Sequence, residues 1–571
     1  MLLALSATSI LPLLFALFLM SKTHRPWAGV IWLVLFLIDC FNLIVMHIFL
    51  PLTIWNMLLG NSLKIIIIGL ADYQKIKVET AEPTKGKRPK SQIKYTGGLK
   101  SSIALAVFVF SLLAMIAALF LSGPFQWRTI ATSTTDSLPQ LDSNQTKQIG
   151  YTVDVARAKM NKAFGEVPNA SQFELGTVTA QFYQGKPVYV APVEQNSFFA
   201  SLKNNQTPGY FVIDAANITA SAEFVRKNLN YTDNSLFMKN AGFKLFAAAP
   251  NKSVRSTTFE IDDEGVPYFV SARGALLAGV RDNQKTREIV ILNAENGQTK
   301  TYTAKTLPKW VNGVVDAESA AELLMQYGEN KYLINFSKKD KMLVNDNGSD
   351  NGVSPVFTSD GNIYYTADYT TPKSKANSIL AYGMVDARTN VLSVVKSDEK
   401  NKLSLVGLTD SDAAILRAEK LDPSLKLNAS NPALFMVENT PVWVLSMTDS
   451  ADNFHDYVYI NAQNTSIIAR GNDAKTALTN YINVLSLAPS TNGNIASQSE
   501  TISGTVSRLA IDNGKAYLIL EGNVTQYQGQ VTDFPYLAST QVGDTVRLTA
   551  SKMTERSVIA NITAFENEDL K

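Results

Sequence analysis

Cysteine is almost absent from this sequence. Cys40 is the only cysteine among 571 residues, and it lies within an apolar run. A disulfide needs two cysteines and a structural thiolate site needs several, so the sequence excludes both a disulfide framework and a thiolate metal site.

Histidine is nearly as rare. The chain has three, and His455 is the only one beyond residue 47. A histidine-rich metal site is therefore excluded outside the first apolar runs, and a Ser-His-Asp triad would depend on His455, for which no Gly-x-Ser-x-Gly elbow is present. We interpret His455, beside Asp456, as a residue of a loop or strand edge. Residues 397–400 fit Ser-x-x-Lys, but without the companion motifs in order, and we interpret the match as chance.

An excess of one charge is also lacking: 52 Lys and Arg face 50 Asp and Glu. This balance gives no indication of nucleic-acid binding. A glycine-rich phosphate loop is absent too. Residues 345–352 are dense in Asn and Asp, which suits either calcium or a flexible turn, but they lack the spacing and closing Glu of an EF-hand. We therefore predict no catalytic residue, no cofactor and no metal, and a protein that is not an enzyme.

Long apolar runs are what the sequence does have, in its first 122 residues. They cover residues 2–20, 27–50, 52–71 and 103–121, each long enough for a hydrocarbon layer of about 30 Å. The loop at residues 72–100 is rich in Lys and Arg, which predicts a cytoplasmic position. We expect a transmembrane region of four helices with both chain ends outside. The short turn from Lys22 to Arg25 is also basic and is predicted to be cytoplasmic. If the third run lies in the membrane interface instead of crossing, one of these two basic segments would be on the extracytoplasmic side.

Two charged residues fall inside these apolar runs. Asp39 is near the middle of the second run and Lys64 is inside the third, where ionised groups are costly and often functional. With a rise of about 1.5 Å per residue, both lie at similar depth below Pro51, so we expect that they can pair. The pair is either a structural clamp between helices or part of a transport or proton path. The basic loop is either a topology signal alone or also a site for anionic lipid.

A short phrase recurs four times in the remaining chain. Two apolar residues lead into Asp or Asn, then Ala, then a polar pair, and an aromatic-bearing strand lies upstream of each copy. Because an Asp or Asn side chain can bond its own turn backbone, each copy predicts a hairpin turn with a structural role for that residue. The spacing of about 75 to 95 residues suits a small supersecondary unit. The four turn positions are Asp214, Asn293, Asp386 and Asn461.

The phrase divides the chain into four repeats after a polar linker at residues 123–149. We predict repeats at residues 150–220, 221–310, 311–400 and 401–486, each with a helix followed by antiparallel hairpins with one buried face. Helices are expected near residues 153–164, 222–228, 317–327 and 410–420. The fold class is α+β.

The end of the chain predicts a separate β domain. A helix at residues 474–485 and a Ser-, Asn- and Gly-rich linker at residues 487–500 precede five strand signals in residues 501–571. Five short strands in this length resemble a small OB-like β-barrel. Such a barrel can bind an oligonucleotide or a glycan, but no basic groove with aromatics is evident, so we favour a packing or assembly module and no nucleic acid.

The last repeat resembles a PepSY-type domain. The resemblance depends on Thr-Pro-Val-Trp-Val-Leu-Ser at residues 440–446 and on residues 456–465, although the closing Asp-x-x-Thr-Gly pattern is nowhere complete. The whole chain is similar to bacterial or phage membrane proteins with such units. The resemblance implies a non-catalytic domain that binds or inhibits.

From these features we expect a multi-pass plasma-membrane protein with its large C-terminal region extracytoplasmic. Its function would be binding, structure or assembly in the cell envelope, for example modulation of a peptidase, with the lipid bilayer and other envelope proteins or a second copy as partners. The alternative is a transporter or channel subunit that uses Asp39 and Lys64.

Overall fold

The computed structural model of the chain describes most of its residues. The described ranges are residues 9–14, 16–17, 25–44, 53–70, 78–80, 91–93, 99–135, 137–141, 151–285, 287–329, 341–345, 352–358, 361–371, 378–396, 405, 407–487, 498–552 and 559–570. These residues form an α+β protein dominated by antiparallel sheets, as expected from the sequence.

The N-terminal region is helical. Its apolar helices pack on one another, and α4 runs beyond the predicted apolar segment into the next region. Its elements are α1 (Ile10–Leu14), α2 (Arg25–Ile44), α3 (Ile54–Leu70), β1 (Val78–Thr80), β2 (Ser91–Ile93), α4 (Leu99–Trp127) and β3 (Thr132–Thr134). Most of the basic loop at residues 72–100 lies outside the described residues.

Unit 1, residues 151–229, is a helix followed by an antiparallel sheet. Its helix begins where the Thr152 side chain accepts from the Val155 N–H, and it buries Val155, Ala156 and Met160. The elements are α5 (Val153–Ala163), β4 (Phe173–Leu175), β5 (Thr179–Tyr183), β6 (Lys186–Gln195), α6 (Phe198–Lys203), β7 (Thr207–Asp214) and β8 (Glu223–Leu229). β6, β7 and β8 pair in chain order, and β4 and β5 both pair with β6.

Unit 2, residues 230–314, is likewise a helix followed by an antiparallel sheet. Asn240 caps its helix by accepting from the Phe243 N–H. The elements are α7 (Ala241–Ala248), β9 (Ser253–Ile261), β10 (Pro267–Gly274), β11 (Leu276–Leu277), β12 (Arg281–Asp282), β13 (Glu288–Asn293) and β14 (Thr299–Tyr302). β9, β10, β13 and β14 form the sheet, and β11 and β12 form a separate hairpin between β10 and β13. We call residues 275–283 the joint hairpin.

Unit 3, residues 315–396, and unit 4, residues 407–487, repeat this order again. The elements of unit 3 are α8 (Ala317–Glu329), β15 (Leu343–Val344), β16 (Ser354–Phe357), β17 (Ile363–Thr370), β18 (Ala381–Asp386) and β19 (Leu392–Lys396). The elements of unit 4 are α9 (Ser411–Glu419), β20 (Asn428–Val437), β21 (Thr440–Thr448), β22 (Phe454–Asn461), β23 (Ile468–Gly471) and α10 (Ala474–Leu487). In both units, consecutive strands from β16 to β19 and from β20 to β23 pair in chain order.

The C-terminal region is a closed five-stranded barrel. Its strands follow the order β24, β25, β26, β28, β27 and close back onto β24. The elements are β24 (Gln498–Asp512), β25 (Lys515–Leu520), β26 (Gln526–Gln530), α11 (Pro535–Ser539), β27 (Thr545–Lys552) and β28 (Ile559–Asn567). The interior contains alternate apolar residues such as Leu518, Val546 and Leu548. The predicted linker at residues 487–500 lies mainly outside the described residues.

The apolar cores join the units in an order different from the chain order. One core contains Phe211 of unit 1 and Phe357 of unit 3. A second joins Val190 of unit 1 to Phe259 of unit 2, and a third joins unit 3 to Trp443 of unit 4. Unit 1 therefore shares an apolar core with both unit 2 and unit 3, and the four units form one body.

Two local predictions differ from the structure. The helix expected at residues 222–228 is strand β8, which pairs with β7 and extends unit 1 beyond the predicted boundary at residue 220. Pairing with an existing sheet edge decides the conformation of such a short segment. The linker expected at residues 123–149 is structured where it is described: α4 continues to Trp127, β3 pairs in parallel with β19, and Gln140 bridges to Met436.

Candidate functional site: a cleft between the four units and a joint at the apolar helices

The four repeated turn positions make the same hydrogen bonds. In each, one side-chain oxygen accepts from the backbone N–H groups two and three residues further on, at 2.8 to 3.0 Å. In chain order, Asp214 accepts from Ala216 and Asn217, Asn293 from Glu295 and Asn296, Asp386 from Arg388 and Thr389, and Asn461 from Gln463 and Asn464. Asp and Asn are equivalent here because only an acceptor is needed.

The alanine after each of these residues is fully buried and connects two parts of its unit. Its N–H donates to the first residues of the neighbouring strand, and its carbonyl accepts from the segment that leads into the helix of the same unit. The carbonyl bonds run from Tyr151 to Ala215, from Asn230 and Tyr231 to Ala294, from Val315 to Ala387, and from Thr409 to Ala462. The repeated phrase thus fastens each helix to its sheet.

A cleft lies where the four units meet. Its volume is about 310 Å³. Every unit contributes to its wall: Thr152, Asp154, Arg157 and Thr177 from unit 1, Thr257 and Thr258 from unit 2, Asp316, Glu318 and Tyr365 from unit 3, and Ser430 and Asn431 from unit 4. Lys162 of α5 closes the contact between units 1 and 4 by donating to Asn453 at 2.6 Å.

Two helices begin at this cleft. The Thr152 side chain caps α5, and the Asp316 carboxylate accepts from the Ser319 N–H at 2.8 Å at the start of α8. Asp154 and Glu318 lie in the first turns of the same helices. Carboxylates at helix N-termini stabilise the helices through the dipole, and here the same carboxylates line the cleft.

A β-bulge forms the wall contributed by unit 4. The pairing of β20 with β21 shifts between Ser430 and Ala433, and Asn431 has a φ of 61° in the left-handed region. Asn tolerates this conformation better than most residues. The bulge interrupts the strand so that Ser430 and Asn431 line the cleft.

The cleft has an excess of negative charge. Asp154, Asp316 and Glu318 outnumber Arg157 among its lining residues. Burial, with the nearby charges of Asp316 and Glu260, raises the pKa of Tyr365, so its hydroxyl stays neutral. Since carboxylates outnumber the one guanidinium in its lining, the arrangement suits a polar, positively charged group.

Two buried carboxyl groups accept hydrogen bonds from distant segments, Glu260 within unit 2 and Asp368 between units 3 and 4. Glu260 accepts from the N–H groups of Asn312 and Gly313, each at 2.8 Å, and burial raises its pKa to about 7. Asp368 accepts from the Ser411 N–H at 3.1 Å and from the Ser411 hydroxyl at 2.6 Å, and burial raises its pKa to about 6. Both carboxyl groups have hydrogen-bond partners in the protein, so we assign them structural roles. In the sequence they are single acidic residues in strands, a pattern that predicts no special role.

The other candidates from the sequence are not brought together into a site. His455 is on β22 with its Nδ1 3.7 Å from Asp456, and its side chain is 45% exposed. Asn345 donates to Asp368 at 2.9 Å, while residues 346–351 of the oxygen-rich turn and residues 397–400 lie outside the described residues. Within the described ranges, no group of three His, Cys, Asp or Glu side chains is placed to hold a metal ion.

Asp39 and Lys64 form an ion pair between α2 and α3. The Lys64 ammonium contacts one Asp39 carboxylate oxygen, and the Ser9 hydroxyl donates to the same oxygen at 3.3 Å. The two charged side chains are mostly buried. Ser9 is a partner that the sequence did not indicate.

The joint hairpin connects unit 2 to one end of the apolar helices. The Trp55 indole at the start of α3 donates to the Ala278 carbonyl at 2.5 Å, and Gly279, with a φ of 73°, allows the close approach of this ring. Arg281 donates from Nε to the Leu119 carbonyl at 2.6 Å and from Nη1 to Gln126 at 3.2 Å. In the sequence, the only indication that the joint hairpin contacts the apolar helices is a short apolar run, bounded by glycines, between two strands.

Comparisons with known proteins add no functional information. No family model matches the chain, and no curated protein matches it. The structure of a polysaccharide lyase, Uly1, is 11% identical in sequence to this chain and has a TM-score of 0.17; the alignment covers 68% of this chain and 60% of the lyase. A sialidase of Trypanosoma rangeli is 10% identical with a TM-score of 0.12, covering 69% of this chain and 55% of the sialidase. This chain thus spans less than two thirds of either protein, and likenesses this low carry no argument about fold or activity.

Proposed function

We propose that the chain is a membrane-anchored, non-enzymatic binding protein of the bacterial cell envelope. Its four N-terminal helices lie in the plasma membrane, and its PepSY-like units and OB-like barrel lie outside the cytoplasm. The cleft between the units binds a positively charged, extended segment of a partner envelope protein. The barrel serves as a packing or assembly module.

The arrangement of the apolar helices supports the membrane anchor. Leu105–Gly123 is long and apolar enough to span a bilayer, and little of it is buried in the protein. Pro26–Asn42 and Ile54–Gly69 are shorter apolar helices. The joint hairpin contacts the beginning of α3 and the end of α4, so the four units lie at the end of these helices opposite to the basic loop. That agrees with a cytoplasmic loop and an extracytoplasmic body.

The observation that carries the proposed binding role is that all four units line one cleft. If the repeats were independent, their distant segments would not be expected to share one concave surface. Concave surfaces are the usual binding sites of proteins. Its excess of carboxylates favours a cationic ligand, and its lining offers hydroxyl and amide groups for hydrogen bonds to a polypeptide.

Photocrosslinking in intact membranes tests this role. A photoreactive amino acid in place of Thr177, exposed at the cleft, should yield a crosslinked partner, whereas the same group in place of Val524, 86% exposed on the barrel, should not. The charge reversal Glu318→Lys should abolish the crosslink from position 177, because it places a cation in the cleft. Glu521→Lys, on the exposed barrel surface, is the matched control. A crosslink unaffected by Glu318→Lys, or none from position 177, would contradict the proposal.

A transporter or channel subunit is the second candidate. The ion pair of Asp39 and Lys64 favours it, because paired charges within apolar helices often mark an ion or proton path. The same pair also suits a clamp between α2 and α3. Exchange of the two charges separates these roles, as discussed below.

A further inference from the structure

Five large apolar side chains are exposed where unit 1 meets unit 2. Each of these residues is between 46% and 79% exposed. A group of exposed apolar side chains, unlike a single one, indicates a contact surface. They lie on the short helix α6 of unit 1 and on the loop at residues 232–240, which leads into α7 of unit 2. We call them the apolar patch: Phe198, Phe199, Leu202, Phe237 and Met238.

Hydrogen bonds hold α6 and this loop side by side. The Ser201 hydroxyl donates to the Asn234 carbonyl at 2.8 Å. The Lys239 ammonium donates to the Asn205 carbonyl, just after α6, at 3.5 Å. These bonds lie near the two ends of the loop, and Phe237 and Met238 lie between them in the chain. The two segments therefore present their exposed side chains as one surface.

The loop has a fixed and strained conformation. Its ends pair through a backbone bridge between Thr232 and Asn240, and the Asn240 side chain donates to the Asp233 carbonyl at 2.5 Å. Phe237 has a φ of 55°, in the left-handed region that bulky residues rarely adopt. Such strain persists where surrounding contacts enforce it, and it is common at binding sites. The exposure of Phe237 is therefore imposed by the fold.

The patch lies at the end of unit 2 remote from the apolar helices. The N–H groups of Asn230 and Tyr231, directly before the loop, donate to the Ala294 carbonyl, and the Ala294 N–H donates to Pro267 at the start of β10. The joint hairpin, which contacts α3 and α4, follows the other end of β10. A strand of eight residues is about 25 Å long. The bilayer in which we place the apolar helices therefore does not cover the patch, and a protein surface suits it better.

The two ends of the loop have neighbours of opposite charge. Near its beginning, the exposed Glu174 carboxylate accepts from the Asn234 side chain at 2.8 Å. Near its end, Lys239 bonds to Asn205, and Lys203 is exposed at the end of α6. The patch thus has an acidic edge and a basic edge. Such a surface is complementary to itself, because a two-fold axis places the acidic edge of one copy against the basic edge of the other.

We propose that the apolar patch is the contact surface between two copies of this chain. At about 200 Å² per large side chain, the five residues expose on the order of 500 Å² of apolar surface. The charged edges extend it towards the roughly 800 Å² per partner that a stable interface buries. Phe199, the most exposed of the five, is the aromatic anchor. The patch shares no residue with the cleft between the four units, so this proposal goes beyond the binding role of the cleft and does not depend on it.

Native mass spectrometry of the full-length protein in detergent, over a range of protein concentrations, tests the proposal. The wild type should form a dimer that dissociates on dilution. Phe199→Asp should raise the dissociation constant of the dimer about 30-fold or more, which is the usual effect of removing an anchor residue. Leu416→Asp changes an exposed apolar residue on α9 of unit 4 and should leave the dimer unchanged. Thermal unfolding shows whether each variant is folded.

Charge reversal tests the pairing of the two edges. Lys203→Glu and Glu174→Lys should each weaken the dimer several-fold, because each places like charges against each other. An equal mixture of these two variants should form a mixed dimer with an affinity close to that of the wild type, since one copy then has two acidic edges and the other two basic edges.

Three results would overturn the proposal. The first is a monomer at every concentration. The second is a dimer that Phe199→Asp leaves intact, because its contact would lie elsewhere. The third is a mixture of the two charge variants that associates no better than either variant alone, because the edges would then not face each other.

Discussion

Replacement of Asp386 tests whether the repeated turn residues act through acceptor chemistry or through charge. The Asp386 side chain accepts from the N–H groups of Arg388 and Thr389 at 2.8 and 2.9 Å. Asp386→Asn keeps an acceptor oxygen in the same place, as Asn293 and Asn461 already do in units 2 and 4. Asp386→Ala removes the acceptor and leaves both N–H groups to water.

The expected magnitude follows from the two bonds. A net contribution of about 0.5 to 1.5 kcal/mol per bond, reduced because Thr389 is exposed, gives a local loss of about 1 to 2 kcal/mol for Asp386→Ala. Asp386→Asn should change the local stability by less than about 0.5 kcal/mol. The fully buried Ala387 links this turn to β17 and to the segment before α8, so the loss should extend to those segments.

Hydrogen exchange of the full-length protein, measured by mass spectrometry, resolves this difference. A loss of about 1.4 kcal/mol raises the exchange rate about tenfold when exchange proceeds through local opening. Peptides that contain residues 386–390 should exchange faster in Asp386→Ala and unchanged in Asp386→Asn. Asp263→Ala, in an exposed turn of unit 2, controls for the loss of a surface carboxylate. Equal acceleration in the Asn and Ala variants would show that the charge matters and would refute the acceptor argument.

Three further predictions concern the apolar helices, the buried carboxyl group of Glu260 and the joint hairpin. If Asp39 and Lys64 form a clamp, the double exchange of Asp39 to Lys and Lys64 to Asp should keep the thermal midpoint in detergent close to that of the wild type. Either single exchange should lower the midpoint, because it buries a pair of like charges. Loss of ion flux with unchanged stability in the double variant would support a transport path instead. Glu260 has its pKa raised to about 7 by burial, so the folded state binds more protons than the unfolded state between about pH 4 and 7, and stability falls as the pH rises through this range. Glu260→Gln should therefore flatten the decline of the thermal midpoint from pH 5 to 8, and an unchanged slope would contradict this origin. Trp55→Phe removes the indole N–H that bonds to the Ala278 carbonyl and should lower the free energy of local opening of the joint hairpin by about 1 kcal/mol. Hydrogen exchange in the joint hairpin should therefore be several-fold faster, while exchange in the barrel should not change.

Much of the local structure was predictable because it is determined by nearby residues. Helices α8 and α9 begin at Asp316 and Asp410, whose side chains cap them, and both have apolar residues at helical spacing. The five strands of the barrel follow from alternation and from turns such as Asn513-Gly514. The prediction of a helix at residues 222–228 was wrong because nearby residues do not determine the conformation of this segment. It is short and has no strong period, so its conformation depends on the free edge of β7.

The polar segment after α4 shows a second limit of local reasoning. Residues 132–134 have no apolar pattern, yet they form a parallel edge strand with β19. An edge strand needs only backbone groups to pair, so its side chains can remain polar and give no signal. The sequence therefore predicted a spacer at this place, and the structure has a strand that ties the end of α4 to unit 3.

The central cleft was not predictable because no local pattern encodes it. Its carboxylates look like ordinary helix caps in the sequence, and the bulge at Asn431 is one residue in a polar stretch. The cleft exists because unit 1 packs on both unit 2 and unit 3, which brings segments about 280 residues apart to one surface. Repeated turns alone are equally compatible with a linear array. The packing order therefore comes from apolar side chains in cores shared between units, such as Phe211 and Phe357, and these cores hold the walls of the cleft together.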